Sequence, residues 1–514
     1  MSDAPGARPP SHGYGVCMCI SLLIPVLLAA APRPNIVVVM VDDLGWQDTS
    51  MPFHETATPL NARYWTPHLE SLARSGMVFT NAYAAGPVCT PTRTSLLTGQ
   101  CPGRTHITYW TLHRDQDTSR KRDRLAAPDW NLNGLTAEDT TLPGLLQDAG
   151  YRTIHAGKAH FGAHGTTGSD PTNLGFEVNI AGHGSGAPAS YLGTHDFSRA
   201  GKTGKEGSSV WDVPGLEKYH GQDIYLTEAL AQEVLPELDR AVADEQPFFL
   251  HFAPYAVHTP IMANARHLDR YDTLHPREAA YATMIESYDE ALGAILERID
   301  DLGVRDNTII IFTSDNGGLS AHARGGAPHV HNAPLRSGKG SCYEGGVRVP
   351  TVVTWPGQVE PGTRSDVPIV TWDLLPTLLA ASGTTIPGDH AVDGRDLTPV
   401  LTDQAGDFPS DRVIGWNQPH QWGAPGPGIE PFTAIRKGQW KLIYFHDGPR
   451  FELYDLDADI GETQDLADLE PQRVHAMARD MQDWIEETGA QLSLDTSTGN
   501  PIATPADALA SMTP

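Results

Sequence analysis

Two unbroken apolar runs, each stopping on a pair of oxygen-bearing side chains, constrain this chain more than any other feature. Residues 35–41 (NIVVVMV) run into Asp42-Asp43, and residues 308–314 (TIIIFTS) run into Asp315-Asn316. Apolar residues without alternation are the pattern of a strand covered on both faces. Such strands belong to a largely parallel sheet between helices, and ligands bind beyond the carboxyl ends of its strands. Further strands are expected at residues 151–156 and 247–253. Residues 66–76 and 141–150 read as helices, each with a Thr cap, a Pro in the first turn and a closing Gly. A longer helical pattern covers about 277–302. The fold class is therefore α/β: a large, mostly parallel or mixed sheet flanked by helices.

The pattern changes after about residue 405. Residues 433–436, 440–445 and 451–456 read as short strands, with turns at Lys437-Gly438 and Asp447-Gly448. They predict a small antiparallel sheet, followed by a helix at 471–488 and an extended tail from Gly489. The expected domains are 32–405, catalytic, and 406–514, a C-terminal subdomain.

Residues 1–31 stand apart. An apolar run at 16–31 contains Pro25, ends in small residues and follows Arg8 and His12. It is short for a membrane span and reads as a secretory signal cleaved near Ala30 or Ala31. The mature protein is expected outside the cytoplasm, periplasmic or secreted, with no stable membrane insertion. Of five cysteines, Cys17 and Cys19 fall in this segment, leaving Cys89, Cys101 and Cys342. Three do not make a disulfide framework, although Cys101 and Cys342 can pair if the fold brings them together. The net charge of −27 argues against nucleic acid and anionic membranes as partners.

Four hard oxygen ligands at two strand ends, Asp42, Asp43, Asp315 and Asn316, suit calcium or magnesium. Strand-end Asp residues also serve as turn formers and caps. Cys89-Thr-Pro-Thr-Arg93 precedes Leu97-Thr98-Gly99. The cysteine stands at an expected helix start, where backbone N–H groups and the helix dipole favour an anion. Arg93 lies one turn further on.

These residues carry a resemblance. Cys-x-Pro-x-Arg followed by Leu-Thr-Gly resembles the signature of the formylglycine-dependent sulfatases. Further matching segments come in the expected order: Asp42-Asp43-Leu44-Gly45, Gly157-Lys158-Ala159-His160, His258-Thr259-Pro260, Ser314-Asp315-Asn316-Gly317 and Lys339-Gly340. Tyr343-Glu344-Gly345-Gly346, Trp440-Lys441-Leu442 and Glu452-Leu453-Tyr454 continue the series. The resemblance spans about residues 34–490.

The resemblance implies an alkaline-phosphatase-like fold, oxidation of Cys89 to formylglycine by a separate maturation enzyme, and one Ca2+. Asp42, Asp43, Asp315 and Asn316 would hold the ion together with residue 89. The hydrated aldehyde would attack sulfur through one hydroxyl and then expel sulfate without attack of water. Arg93 and Lys158 would stabilise the ionised nucleophile, and Lys339 the sulfate oxygens. His160 would take the second hydroxyl proton, and His258 would protonate the leaving alcohol. Thr92 and Ala159 depart from common family residues. Ala159, standing where an aromatic residue is common, is expected to open space beside the nucleophile.

The substrate class implied is a sulfated carbohydrate, cut at an exposed terminal sugar. A chain this acidic repels a long polyanion and needs a local cationic pocket. The stretch 104–135 mixes Tyr109, Trp110, His113, Arg114, Arg120, Lys121, Arg122 and Trp130, a composition suited to stacking on sugars and holding anions. Its acids Asp115, Asp117 and Asp123 cancel part of that charge, as in an ordinary exposed loop. His113 and Arg114 are the candidate substrate contacts there; Arg324, His329 and His331, beside His322 and Arg336, form a second candidate loop. Other readings are an arylsulfatase acting on small molecules, a phosphatase or phosphonate monoester hydrolase on the same fold, and a binding module without catalysis.

Overall fold

A computed structural model describes residues 1–4, 6–13, 33–120, 123–321, 324–403, 406, 408–409 and 411–512. Contacts divide the chain into Met1–Pro32 and Arg33–Pro514, and all regular structure among the described residues lies in the second. The expected signal at 16–31 falls outside the described residues. Among the described residues no helix is long and apolar enough to cross a membrane.

Eight strands form one mixed sheet. They are β1 Asn35–Val41, β2 Met77–Phe79, β3 Arg152–Gly157, β4 Val178–Ile180, β5 Phe248–Ala253, β6 Thr308–Ser314, β7 Thr351–Thr354 and β8 Thr363–Ser365. Their order is β8-β2-β7-β6-β1-β5-β3-β4. Strands β6, β1, β5, β3 and β4 are mutually parallel, and β7 runs antiparallel to both β6 and β2.

The two-residue period of a strand sends alternate side chains to opposite faces. On β1, Val37, Val39 and Val41 enter one core with Leu250, Phe252, Ile310 and Phe312. Ile36, Val38 and Met40 enter the other with Phe249, Ile309 and Ile311. The first face is covered by α1 Pro67–Arg74, α4 Leu226–Ala243 and α5 Pro276–Asp301. The second is covered by α2 Cys89–Thr98, α3 Leu142–Asp148 and α6 Leu374–Ser382. Each fully buried aliphatic side chain contributes roughly 1.5–3 kcal/mol, so an unbroken apolar strand is stable only when covered on both sides.

The C-terminal part is a four-stranded antiparallel sheet: β9 Val413–Gln418, β10 Phe432–Lys437, β11 Trp440–Phe445 and β12 Arg450–Asp455. Helix α7, Pro471–Thr488, packs on it around a third apolar cluster. The expected strands at 433–436, 440–445 and 451–456 correspond to β10, β11 and β12. Strand β9 was not expected, because Gly415 and Asn417 dilute its strand character. Helix α4 was not expected either, and Pro236 lies inside it.

The tail is not simply extended. Leu494–Asp495 pairs antiparallel with Leu125–Ala126, and Pro505–Met512 is a helix. Cys101 and Cys342 are buried in the third cluster and form no disulfide. A buried ion triad ties the small sheet to the short helix Glu344–Val347 that precedes β7: Lys441 Nζ lies 2.8 Å from Glu344 Oε1 and 2.9 Å from Glu462 Oε1.

Candidate active site

Four carboxyl ends stand side by side because parallel pairing holds them in register. Val41 lies opposite Ser314, and Ala156 lies opposite Phe252. The chain leaving β1 supplies Asp42 and Asp43, and the chain leaving β6 supplies Asp315 and Asn316. Lys158 and His160 follow β3, and His258 follows β5. The turn after β1 is pinned from two sides. Asp43 N donates to Asp315 Oδ1 at 3.2 Å, and Leu44 N donates to Ser314 Oγ at 3.0 Å.

Cys89 is the first residue of α2, a ten-residue helix that is buried along its whole length. Its thiol therefore sits at the positive end of the helix dipole. The sulfur lies 3.8 Å from Asp42 Oδ1 and 3.3 Å from Lys339 Nζ. Around it the charges alternate. Lys158 Nζ is 2.8 Å from both Asp42 oxygens, and Lys339 Nζ is 2.6 Å from Asp43 Oδ1. Arg93 donates from Nε to Asp315 Oδ2 at 2.8 Å and from Nη1 to the Lys158 carbonyl at 2.7 Å. Burial pushes the Cys89 thiol up, but Lys158 and Lys339 more than reverse it and hold it well below the usual thiol range. The carboxylates differ in the same way. Burial leaves Asp42 raised, whereas beside Asp43 Lys339 and His258 overcome burial and lower it.

Two histidines face this cluster with defined hydrogen bonds. His258 Nδ1 donates to the Thr259 carbonyl at 2.8 Å, leaving Nε2 3.6 Å from Asp43 Oδ2. His160 Nε2 donates to the Thr111 carbonyl at 2.8 Å and lies 3.2 Å from Thr90 Oγ1. The ring fits because residue 186 is glycine: a Cβ there would meet His160 Cε1 at 2.5 Å.

The oxygen donors of the cluster, from Asp42, Asp43, Asp315 and Asn316, suit a hard cation. Asp42, Asp43, Cys89 and His258 bring potential ligand atoms within 4.8 Å of one another. Asp43 Oδ2 and Asn316 Oδ1 are buried acceptors with no hydrogen-bond partner. Leaving such an acceptor unmet costs about 1–3 kcal/mol, and a bound cation would satisfy both.

Cys89, His160, His258 and Lys339 open into a cavity of about 730 Å3. Its outer wall is aromatic, with Tyr109, Trp110, Trp211 and Trp422. Gly340, at φ +86°, lets the indole of Trp422 lie beside Lys339, since a Cβ would come within 2.3 Å of Trp422 Cε3.

The sulfatase family model matches residues 34–384, and the model of the N-sulphoglucosamine sulphohydrolase C-terminal region matches 338–491. N-acetylgalactosamine-6-sulfatase of Homo sapiens is 32% identical over 384 residues, 73% of this chain and 67% of the relative. The chain belongs to the sulfatase family. Arylsulfatase A of Homo sapiens is 29% identical over 472 residues, 88% of this chain and 83% of the relative. The crystal structure of Ps i-CgsB in complex with k-i-k-neocarrahexaose matches with a TM-score of 0.71 at 27% identity, covering 88% of this chain and 93% of that one. The sulfatase has the alkaline-phosphatase-like fold and is a sulfuric ester hydrolase.

In this sulfatase Asp42, Asp43, Cys89, Arg93, Lys158, His160, His258, Asp315, Asn316 and Lys339 come together from segments up to about 300 residues apart. The expected substrate loops fare differently. The His113 ring lies tilted against His164, with ring centroids 5.8 Å apart, and neither His113 nor Arg114 lines the cavity. Arg324 is a structural cation: its side chain is 0% exposed, 3.0 Å from Asp48 Oδ2 and 2.7 Å from Glu278 Oε1. His331 bonds the Gly325 carbonyl at 2.8 Å, and His329 does not line the cavity. His322, Lys121 and Arg122 lie outside the described residues. Ala159 opens no space beside the nucleophile, because it is sealed in the core with Phe161 and Leu135. Trp211 and Trp422 were missed. No local period marks a loop side chain that acts only as a wall.

Proposed function

We propose that this sulfatase hydrolyses a sulfate ester of a carbohydrate at an exposed terminal sugar, after oxidation of Cys89 to formylglycine and with one calcium ion bound. The observation that carries the reading is the Cys89 sulfur itself. It stands at a buried helix N-terminus, between the Lys339 ammonium and the Asp42 carboxylate, at the floor of an aromatic cavity. Aromatic walls suit the apolar faces of sugar rings. The carrahexaose complex of a structural relative points the same way.

Asp42, Asp43, Asp315, Asn316 and residue 89 would hold the ion, which when bound supplies Lewis-acid polarisation of a sulfate oxygen. Hydrated formylglycine supplies a geminal hydroxyl nucleophile and lets sulfate depart without attack of water. Lys158 and Arg93 hold the acidic side of the cluster in a fixed arrangement and favour the ionised nucleophile. Lys339 neutralises sulfate oxygens. His258, oriented through Nδ1, delivers a proton from Nε2 to the leaving alcohol. His160 accepts the proton released as sulfate leaves.

Export after removal of residues 1–31 accords with the apolar run at 16–31. In this reading residues 32–405 carry the chemistry, 406–514 close one wall of the cavity, and a separate enzyme matures Cys89.

The test couples mass spectrometry of the peptide containing residue 89 to sulfate release from sugars sulfated at defined positions. Aldehyde at residue 89 with sulfate released from particular sugars is expected. Aldehyde-bearing protein that cleaves only aryl sulfates or phosphate esters would overturn the carbohydrate assignment.

A further inference from the structure

We propose that Arg120 reads a second negative charge on the substrate, a sulfate or carboxylate carried beside the ester that is cut. This rests on the reading of the cavity as a site for sulfated carbohydrate. Among the described residues, five acidic or basic side chains line the cavity: Asp43, Arg120, His160, His258 and Lys339. Four of them belong to the cluster around Cys89. Arg120 stands outside it, on the wall formed with Trp110, Trp422 and Gly423.

Its place is set by backbone rather than by a flexible tip. Arg120 forms an antiparallel bridge with Gln421, and Tyr109 on the same loop donates its hydroxyl to the Gln421 carbonyl at 3.1 Å. Thr118 donates its hydroxyl to the Trp110 carbonyl and closes the loop on itself. The guanidinium runs along Gly423: a Cβ built there would lie 3.7 Å from Nη2. Loop 109–120 and segment 420–424 thus form one wall that carries both indoles and the cation.

The chemistry selects the ligand. A guanidinium offers a planar fork of donors that matches two oxygens of a sulfate or a carboxylate. Indole faces beside it take the C–H faces of a sugar. A chain of net charge −27 repels a doubly charged substrate at long range, so admitting one requires a local cation beyond those that serve the reacting sulfate. A singly sulfated sugar makes no such demand.

The experiment compares kcat/KM for three substrates sharing one scissile sulfate: a singly sulfated sugar, the same sugar with a second sulfate, and the same sugar linked to a uronate. Wild type, Arg120→Ala and Arg120→Lys are assayed at two salt concentrations. Wild type is expected to prefer at least one doubly charged substrate at both salt concentrations, since the higher one screens the long-range repulsion. In Arg120→Ala that preference ratio falls by about tenfold to a hundredfold, mainly through KM, and Arg120→Lys keeps part of it. Whether the ratio moves for the second sulfate or for the uronate identifies the anion. A ratio unmoved in Arg120→Ala, or a wild type that prefers the singly charged sugar, overturns the assignment of Arg120 alone. Absence of sulfate release from every sugar by wild type overturns this assignment and the carbohydrate reading together.

Discussion

Lys339 Nζ lies 3.3 Å from the sulfur of Cys89, although 250 residues separate them in the chain. The same nitrogen is 2.6 Å from Asp43 Oδ1, so one ammonium faces both the proposed nucleophile position and the proposed cation site. In the proposed mechanism, replacing Lys339 by Ala removes the charge that would meet sulfate oxygens in the transition state. The expected loss in kcat is about a hundredfold to a thousandfold, the scale of a removed electrostatic stabiliser. Steady-state kinetics on a sulfate ester, beside a melting curve showing a folded protein, checks it.

His258 makes a different prediction, because a proton donor matters most when the leaving group is a poor one. His258→Gln should cost a sugar sulfate, whose alkoxide is strongly basic, about a hundredfold or more in kcat. An aryl sulfate with an acidic phenol should lose far less. Equal losses on the two substrates would remove His258 from the role of acid.

Chelation tests the cation site through stability as well as rate. Asp43 Oδ2 and Asn316 Oδ1 lack partners in the buried cluster, so a bound divalent ion should raise the melting temperature. At one hundred times Kd the gain is about 2.7 kcal/mol. EDTA should lower both melting temperature and activity, and added Ca2+ should restore both. A melting temperature indifferent to EDTA and to Ca2+ would count against the site.

Arg324 is a matter of stability rather than catalysis. It is enclosed with Asp48, Glu278 and Tyr64, and its guanidinium packs 3.9 Å from the Tyr281 ring centroid. Arg324→Met would leave the buried Asp48 without its cation, while Glu278 keeps Arg63 at 2.8 Å, and would destabilise the protein by about 3–5 kcal/mol, measured by denaturant unfolding.

The same network predicts an acid limb. Burial pushes Glu278 up, but Arg324 outweighs it and brings the carboxyl from 4.5 down to about 2. A carboxyl lowered by folding adds stability that is fully present above its unfolded value. That stability fades as pH falls from about 4.5 towards about 2. Glu278→Gln should be less stable at neutral pH and should lose stability less steeply over that window. Parallel curves for the two proteins would contradict the assignment.

The sequence by itself determined the layered sheet and the oxygen-bearing strand ends of the candidate site. Unbroken apolar runs can be buried only between two layers. In a parallel sheet, residues just past such runs gather at one edge, so Asp42, Asp43, Asp315 and Asn316 were legible from local pattern, whereas Lys158 and His258 were singled out through the family resemblance. Segments up to about 300 residues apart then needed only the register Val41 to Ser314 to meet. The fate of loop cations was decided by tertiary structure alone. Arg324 and Arg120 look alike in the chain, yet one is enclosed by Asp48, 276 positions away, and the other is turned to the cavity by Gln421, about 300 positions away. The same holds for Trp211 and Trp422, which share a wall with Trp110 because separate loops converge. An arginine or tryptophan in a loop has no periodic signature. Its surroundings arise from distant segments, and only folding brings those segments together.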